Sequence, residues 1–193
     1  MADKALPSPE VLRQLLRYEP ETGKLFWLVR SPEWFAGAKF GDNVAARSWN
    51  RQYSGKEALT AINGNGYLSG TLLCNRLTAH RVIWALVFGE WPKSSIDHND
   101  HDRTNNRLGN LRAATVADNS RNLPRRSDNS TGVTGVFWNK KSQRWTANIR
   151  VDGKLIHLGY FPSVDAAANA RAAANIHYGF HPNHGAEKIA VRV

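Results

Sequence analysis

An acid sits beside a histidine at Asp97-His98, Asn110 follows twelve residues on, and Asn119 comes nine after that. The whole run reads SSIDHNDHDRTNNRLGNLRAATVADNSRN. Its pattern predicts a strand, a polar turn-rich loop, a short strand at Leu111-Arg112, and a helix-like segment ending in Asn119. That order can bring Asp97 and Asn119 together as two oxygen ligands of one divalent cation. Neighbouring strand residues alternate faces, so His98 points away from Asp97. A hard cation on few protein oxygens, beside an imidazole able to take a proton from water, is the chemistry of phosphodiester hydrolysis. The competing reading is a polar surface loop, since Asp, Asn and His are common in turns. A zinc site on His98 and His101 would want four N or S ligands, and the chain has one cysteine, Cys74.

These residues need a scaffold and a partner. The chain has 193 residues, 41% of them hydrophobic, with seven Trp. That suffices for one medium domain or two small ones with real cores. No apolar run approaches the length of a membrane helix, and the start, MADKALPSPE, has no secretory h-region. A single cysteine suits a reducing cytoplasm. The net charge of +10 is uneven. Residues 1–120 carry 15 Lys/Arg against 12 Asp/Glu, and residues 121–193 carry 11 against 4. The basic excess therefore follows the Asp-His run, and a nucleic acid is the natural partner rather than a membrane.

Residues 8–18 read as a short helix with Ser8 as cap and Pro9 in its first turn. A strand is expected at 25–29. The stretch 30–57, with Trp34, Phe35, Phe40, Trp49 and Tyr53 among basic residues, reads as nucleic-acid contact or as a loop-rich cover whose aromatics plug a small core. Residues 58–73 read as a hairpin turning at Asn63-Gly64-Asn65-Gly66. Thr78 opens a buried helix ending near Gly89. At its start His80 and Arg81 face the site or a phosphate, or His80 is simply a structural histidine. Residues 121–132, with Arg125 and Arg126, read as a basic linker able to lie along a DNA groove, or as a solvated tether.

Three strands are expected at 133–139, 144–151 and 154–161, the last two joined by the Asp152-Gly153 turn. A helix rich in alanine, capped by Ser163, follows and stops at Gly179. Strand alternation puts Trp145, Ala147 and Ile149 on one face, where the alanines let the helix sit close. Thr146, Asn148 and Arg150 share the other face.

Two family resemblances sit on these residues. Asp97, His98, Asn110, Asn119 and the pair Asn105-Asn106 resemble the HNH nucleases, in their phage and intron homing-endonuclease branch. The resemblance implies a ββα-metal core with Asp97 and Asn119 as metal ligands, His98 as general base, and Asn110 pinning the loop by side-chain hydrogen bonds. The chain departs from that pattern at Asn99, where an apolar residue is usual, and at His101, where the turn usually has Gly. Histidine tolerates positive φ better than most residues. The segment from about Ser130 to Gly179 resembles the AP2 DNA-binding domain, through Gly135-Val136, the WTANIR stretch, Leu158-Gly159-Tyr160-Phe161 and the alanine helix ending in HYG. In that family the sheet enters the major groove. By position this implies Thr134, Phe137, Asn139, Arg144, Asn148, Arg150 and His157 as DNA-facing, with Lys140 and Lys141 beside them. Thr134 and Phe137 stand where plant members usually have Arg, so their sequence preference does not transfer.

The expectation is an α+β chain in four parts. Residues 1–78 form a region of hairpin and helix elements without an assigned role, 79–122 the HNH core, 123–132 the linker, and 133–193 a three-stranded antiparallel sheet on one helix. The implied activity is metal-dependent nicking of double-stranded DNA by a monomer or weak dimer in the host cytoplasm. Mg²⁺ is the expected cofactor, with Mn²⁺ as substitute and no small-molecule cofactor. The rivals are a sequence-specific DNA-binding regulator on an inactive HNH scaffold and an RNA-processing factor, for which the sequence has no independent motif.

Overall fold

A computed structural model describes residues 5–187 as a mixed α/β chain of small antiparallel sheets and short helices. It divides into two compact units. Of the described residues, the first holds 5–98 and 102–113, and the second holds 99–101 and 114–187.

In the first unit, α1 (Pro9–Leu15) starts on Ser8, whose Oγ accepts from the Val11 amide, with Pro9 in its first turn. It ends earlier than its leucines predict. Leu16 turns extended, and β1 (Leu16–Glu19) pairs with β2 (Lys24–Trp27) in a hairpin. The pattern Leu12, Leu15, Leu16 fits a helix stripe and a helix-to-strand junction equally, and sheet pairing decides between them. The 30–57 stretch contains a 3₁₀ turn at Pro32–Phe35 and a twelve-residue helix, α2 (Asp42–Tyr53), so it is not loop-rich. Its aromatics do plug a small cluster. Trp49 packs against Trp27, Phe35 and Tyr53, and the Arg30 guanidinium lies 3.9 Å from the Trp49 ring centre.

β3 (Glu57–Ala58) completes the first sheet beside β2. β4 (Ala61–Ile62), β5 (Leu68–Leu72) and β6 (Asn75–Thr78) form a second, ordered in sequence. β6 had no sequence signal, because its tight turn places Leu73 and Cys74 at positive φ without glycine or asparagine. α3 (Ala79–Phe88) follows and stops on Gly89 in the left-handed region. β7 (Ser95–His98) and β8 (Leu111–Ala114) make a two-stranded sheet. One core joins all of this: Leu12, Leu15, Leu25 and Leu72 pack with Val82 and Ile83 of α3, Ile96 of β7 and Leu111 of β8. Val82 and Ile83 are fully buried, each contributing about 1.5–3 kcal/mol. Residues 5–78 are therefore part of the body that holds β7 and β8.

The second unit holds the short helix α4 (Val116–Ser120) and a sheet of β9 (Val136–Asn139), β10 (Arg144–Val151) and β11 (Lys154–Phe161). Both pairings are antiparallel, with β10 in the middle. Opposite Ala147/Asn148 a bulge leaves Leu158 out of register. α5 (Val164–His177) is capped by Ser163, whose Oγ accepts from the Ala166 amide. Ala167 and Val164 of α5 meet Val136, Ala147, Trp145, Leu158 and Phe161 of the sheet. Arg171 of α5 is buried, donating to Asn175 Oδ1 in its own helix, to the Asn148 carbonyl on β10 and to His184 Nε2. The stretch expected as a linker is bonded along its first part: backbone hydrogen bonds tie Arg121 to His181, Leu123 to Gly185 and Arg125 to Ala186.

Candidate functional site

β7 sets Asp97 and His98 on opposite faces. Ile96 and His98 are buried, while Ser95 is exposed and Asp97 half-buried. His98 is 3% exposed, and its Nε2 lies 3.0 Å from Oδ1 of Asn106, itself 1% exposed. An amide oxygen can only accept, so Nε2 is the donor in this bond, which in a neutral ring leaves the lone pair on Nδ1. Tyr67 and His80 pack on the same imidazole, with ring centres 5.7 and 5.3 Å away. His80, in the first turn of α3, is pushed down to about 3 by burial first, then by His98 and Arg81. It is a neutral histidine of the packed interior and presents no charge to a phosphate. Arg81 beside it is half-buried.

Asn106 is held by the loop between β7 and β8. Asn110 donates from Nδ2 to the Asn105 carbonyl at 2.8 Å. Asp102 Oδ1 accepts from the amide and hydroxyl of Thr104. The N-terminal hairpin supports the same loop from outside. Tyr18 donates its hydroxyl to the Asn106 carbonyl at 3.1 Å, and Arg107 Nε donates to the Glu21 carbonyl at 2.7 Å. Gly23, at φ +75, lies so close that a Cβ there would come within 2.6 Å of the Arg107 amide nitrogen. His101 takes the positive φ, 65°, that its place in the turn demands.

Asp97 faces Arg112 of β8, which donates Nη2 and Nε to its Oδ2 at 2.8 and 3.2 Å. Asn119 belongs to the second unit, on α4, and its Oδ1 is buried with no hydrogen-bond partner. A carboxylate and an amide oxygen are each, by type, hard oxygen donors of the kind a divalent cation takes. Among the described residues no group of three or more His, Cys, Asp or Glu is arranged as a metal set.

In the second unit, sheet register assembles the residues expected to face DNA. Arg144 pairs with Asn139, Thr146 with both Phe137 and Tyr160, Asn148 with His157, and Arg150 with Leu155. These lie on the face away from α5. Phe137, Tyr160 and Leu155 are 45, 50 and 61% exposed, and together they add an apolar strip that the sequence reading missed at Leu155 and Tyr160. Thr146, between Phe137 and Tyr160, is buried. Asn148 Oδ1 meets His157 Nδ1 at 2.9 Å, Arg150 donates to the Gly153 carbonyl, and Asn139 Oδ1 accepts from the amides of Lys141 and Ser142 to shape their turn. Lys140, Lys141 and Arg144 are exposed. Thr134 is placed differently: its hydroxyl oxygen is buried beside Gly185. Arg125 is ion-paired to Glu187 and Arg126 to Asp128.

Comparison with known proteins bears on this geometry. Residues 77–121 match the HNH endonuclease family, a match that takes in β7, the loop, β8 and α4. That segment is thus similar to a nuclease domain. Over 76 residues the chain is 34% identical to Protein 3.8 of Escherichia phage T7, covering 39% of this chain and 63% of that protein. No solved structure matches. No helix among the described residues is long and apolar enough to cross a membrane.

Proposed function

We propose that the protein is a divalent-metal-dependent DNA endonuclease of the phage HNH homing type, nicking one strand per active site. The observation that carries this reading is His98, buried on β7 within the HNH-like segment, with Nε2 held by Asn106. With Nε2 engaged by Asn106, Nδ1 is the nitrogen proposed to take a proton from water. The water oxygen bonds to phosphorus as the P–O3′ bond breaks, and the leaving O3′ takes a proton from a solvent water, leaving a 5′ phosphate and a 3′ hydroxyl. Asp97 and Asn119 are the protein oxygens for the cation, and Asn110 keeps the loop closed. A bound Mg²⁺ would neutralise charge on the phosphoryl and leaving oxygens.

Target binding falls to the outer sheet face, in the manner of an AP2-like domain. Asn148, Arg150, His157 and Arg144 are the proposed readers of base edges, and Lys140 and Lys141 the proposed phosphate contacts. The basic excess after residue 120 supports this, and the partner is double-stranded DNA in the host cytoplasm. The second reading, a DNA-binding regulator on an inactive scaffold, draws on the pairing of Asp97 with Arg112, which occupies the ligand oxygen. Incubation with supercoiled plasmid and Mg²⁺ separates the two. Conversion to open circle, blocked by EDTA and absent in His98→Ala, is the nuclease result. DNA that is shifted but uncut under all conditions is the regulator result.

A further inference from the structure

Arg112 has no role in the mechanism proposed above. It sits two positions after Asn110, and its guanidinium places both Nε and Nη2 on the single oxygen Oδ2 of Asp97. The side chains are 31 and 20% exposed, so the pair is only partly screened by solvent. The pair occupies the face of β7 opposite the buried His98. A carboxylate kept to hold a cation gains nothing for that task from a permanent arginine. The two positive groups compete for one carboxylate.

We propose that Arg112 is a catalytic phosphate ligand that exchanges partners: it pairs with Asp97 in the resting protein and with the scissile phosphodiester once DNA is bound. This rests on the reading of Asp97 as a cation ligand. A phosphodiester carries one negative charge and two non-bridging oxygens, which match the donor fork of a guanidinium as a carboxylate does. When the phosphate draws Arg112 away, Oδ2 is released for the cation. A cation on Asp97 in turn repels the guanidinium toward the phosphate. DNA and cation therefore bind cooperatively, and the coupling is reciprocal. In the DNA-bound state the arginine charge faces oxygens on which negative charge builds in the transition state. The resting protein, without DNA, holds its cation weakly.

The test is Mn²⁺ titration calorimetry on the full chain, with and without random-sequence duplex at low salt, in a His98→Ala background that prevents cleavage. Arg112→Gln is expected to bind Mn²⁺ on the order of tenfold more tightly than the parent when DNA is absent. DNA should tighten Mn²⁺ binding by a similar factor in the parent and by less than about twofold in Arg112→Gln. With His98 restored, Arg112→Gln at saturating Mn²⁺ should nick on the order of 10²-fold more slowly. Arg112→Lys keeps the charge and so the DNA-dependence of Mn²⁺ affinity, but loses the fork and nicks more slowly; it serves if the glutamine variant does not fold. Equal Mn²⁺ affinity in parent and Arg112→Gln, with or without DNA, while Asp97→Asn abolishes binding, overturns the partner exchange and leaves the metal site standing. Wild-type Mn²⁺ affinity in Asp97→Asn overturns the ligand assignment itself.

Discussion

Asn106→Ala isolates the contact that sets the tautomer of His98. Both side chains are almost fully buried, and the bond between them is 3.0 Å. Truncation leaves an imidazole N–H in the interior without its acceptor, which costs about 1–3 kcal/mol. For a unit of this size that lowers Tm by roughly 10 °C. The same energy no longer holds the proton on Nε2. The competing tautomer, with its proton on Nδ1 where the lone pair is needed, gains by up to that amount, so the nicking rate should fall about 10- to 100-fold. That is less than the 10²–10⁴-fold order expected for losing the base itself in His98→Ala. Asn106→Asp keeps an acceptor and adds charge, so it should restore most of the rate and move the acid limb of the pH–rate profile upward. The assay is plasmid nicking against pH, with gel shifts to confirm unchanged DNA affinity. An Asn106→Ala protein that nicks within twofold of wild type, with unaltered Tm, would refute the reasoning.

Three further outcomes are expected. Gly23→Ala should destabilise the first unit by about 2 kcal/mol or more, from the left-handed backbone and the collision with Asn106 and Arg107; urea unfolding measures it, and nicking should slow in parallel because that loop holds Asn106. His80 is neutral in the folded chain down to about pH 3, whereas the unfolded chain protonates it near 6.5, so stability is lost as pH falls through that window; between pH 6.5 and 5 the loss should be about 2 kcal/mol, and unfolding of His80→Phe should be flatter over the same range. Arg150→Ala should cost about 1–3 kcal/mol of binding and relax preference at one base pair, while Lys140→Ala should weaken binding evenly across sequences and reduce its salt dependence, as gel shifts at two salt concentrations would show.

The parts of the chain that announce themselves are those with local chemistry. Ser8-Pro9 and Ser163 mark helix starts through their caps, Gly89 marks a stop, and the strand–loop–strand–helix order around Asp97 follows from turn residues between short apolar runs. What stayed hidden depends on contacts between distant residues. α2 is mostly polar with only Ala46 buried and no capping side chain on Gly41, so neither periodicity nor a start signal marks it. The turn before β6 uses Leu73 and Cys74 where glycine would have signalled it. Asn105-Asn106 was visible as a pair in the motif. That Asn106 holds His98, that Arg112 reaches Asp97, and that Thr134 turns inward are consequences of loop closure and strand adjacency, which spacing along one chain does not encode.

Asn99–His101 has a meaning for how this protein can be taken apart. The chain leaves the first unit after His98, returns at Asp102, and leaves again after Ala113. Within the second unit, His101 Nε2 meets Asn122 Oδ1 at 3.0 Å, and Asn183 donates to the Asn99 carbonyl at 2.7 Å. Two of the three residues next to β7 are thus stitched to asparagines further along the sequence. No single cut divides such a chain into two finished pieces. A break after residue 120 leaves that loop without Asn122 and Asn183, and a break before Asn99 severs the histidine from its own loop. Recombination that exchanged the basic sheet for another module at one crossover would therefore disturb the 99–101 loop as well. Side-chain changes confined to the sheet face leave both of those bonds in place.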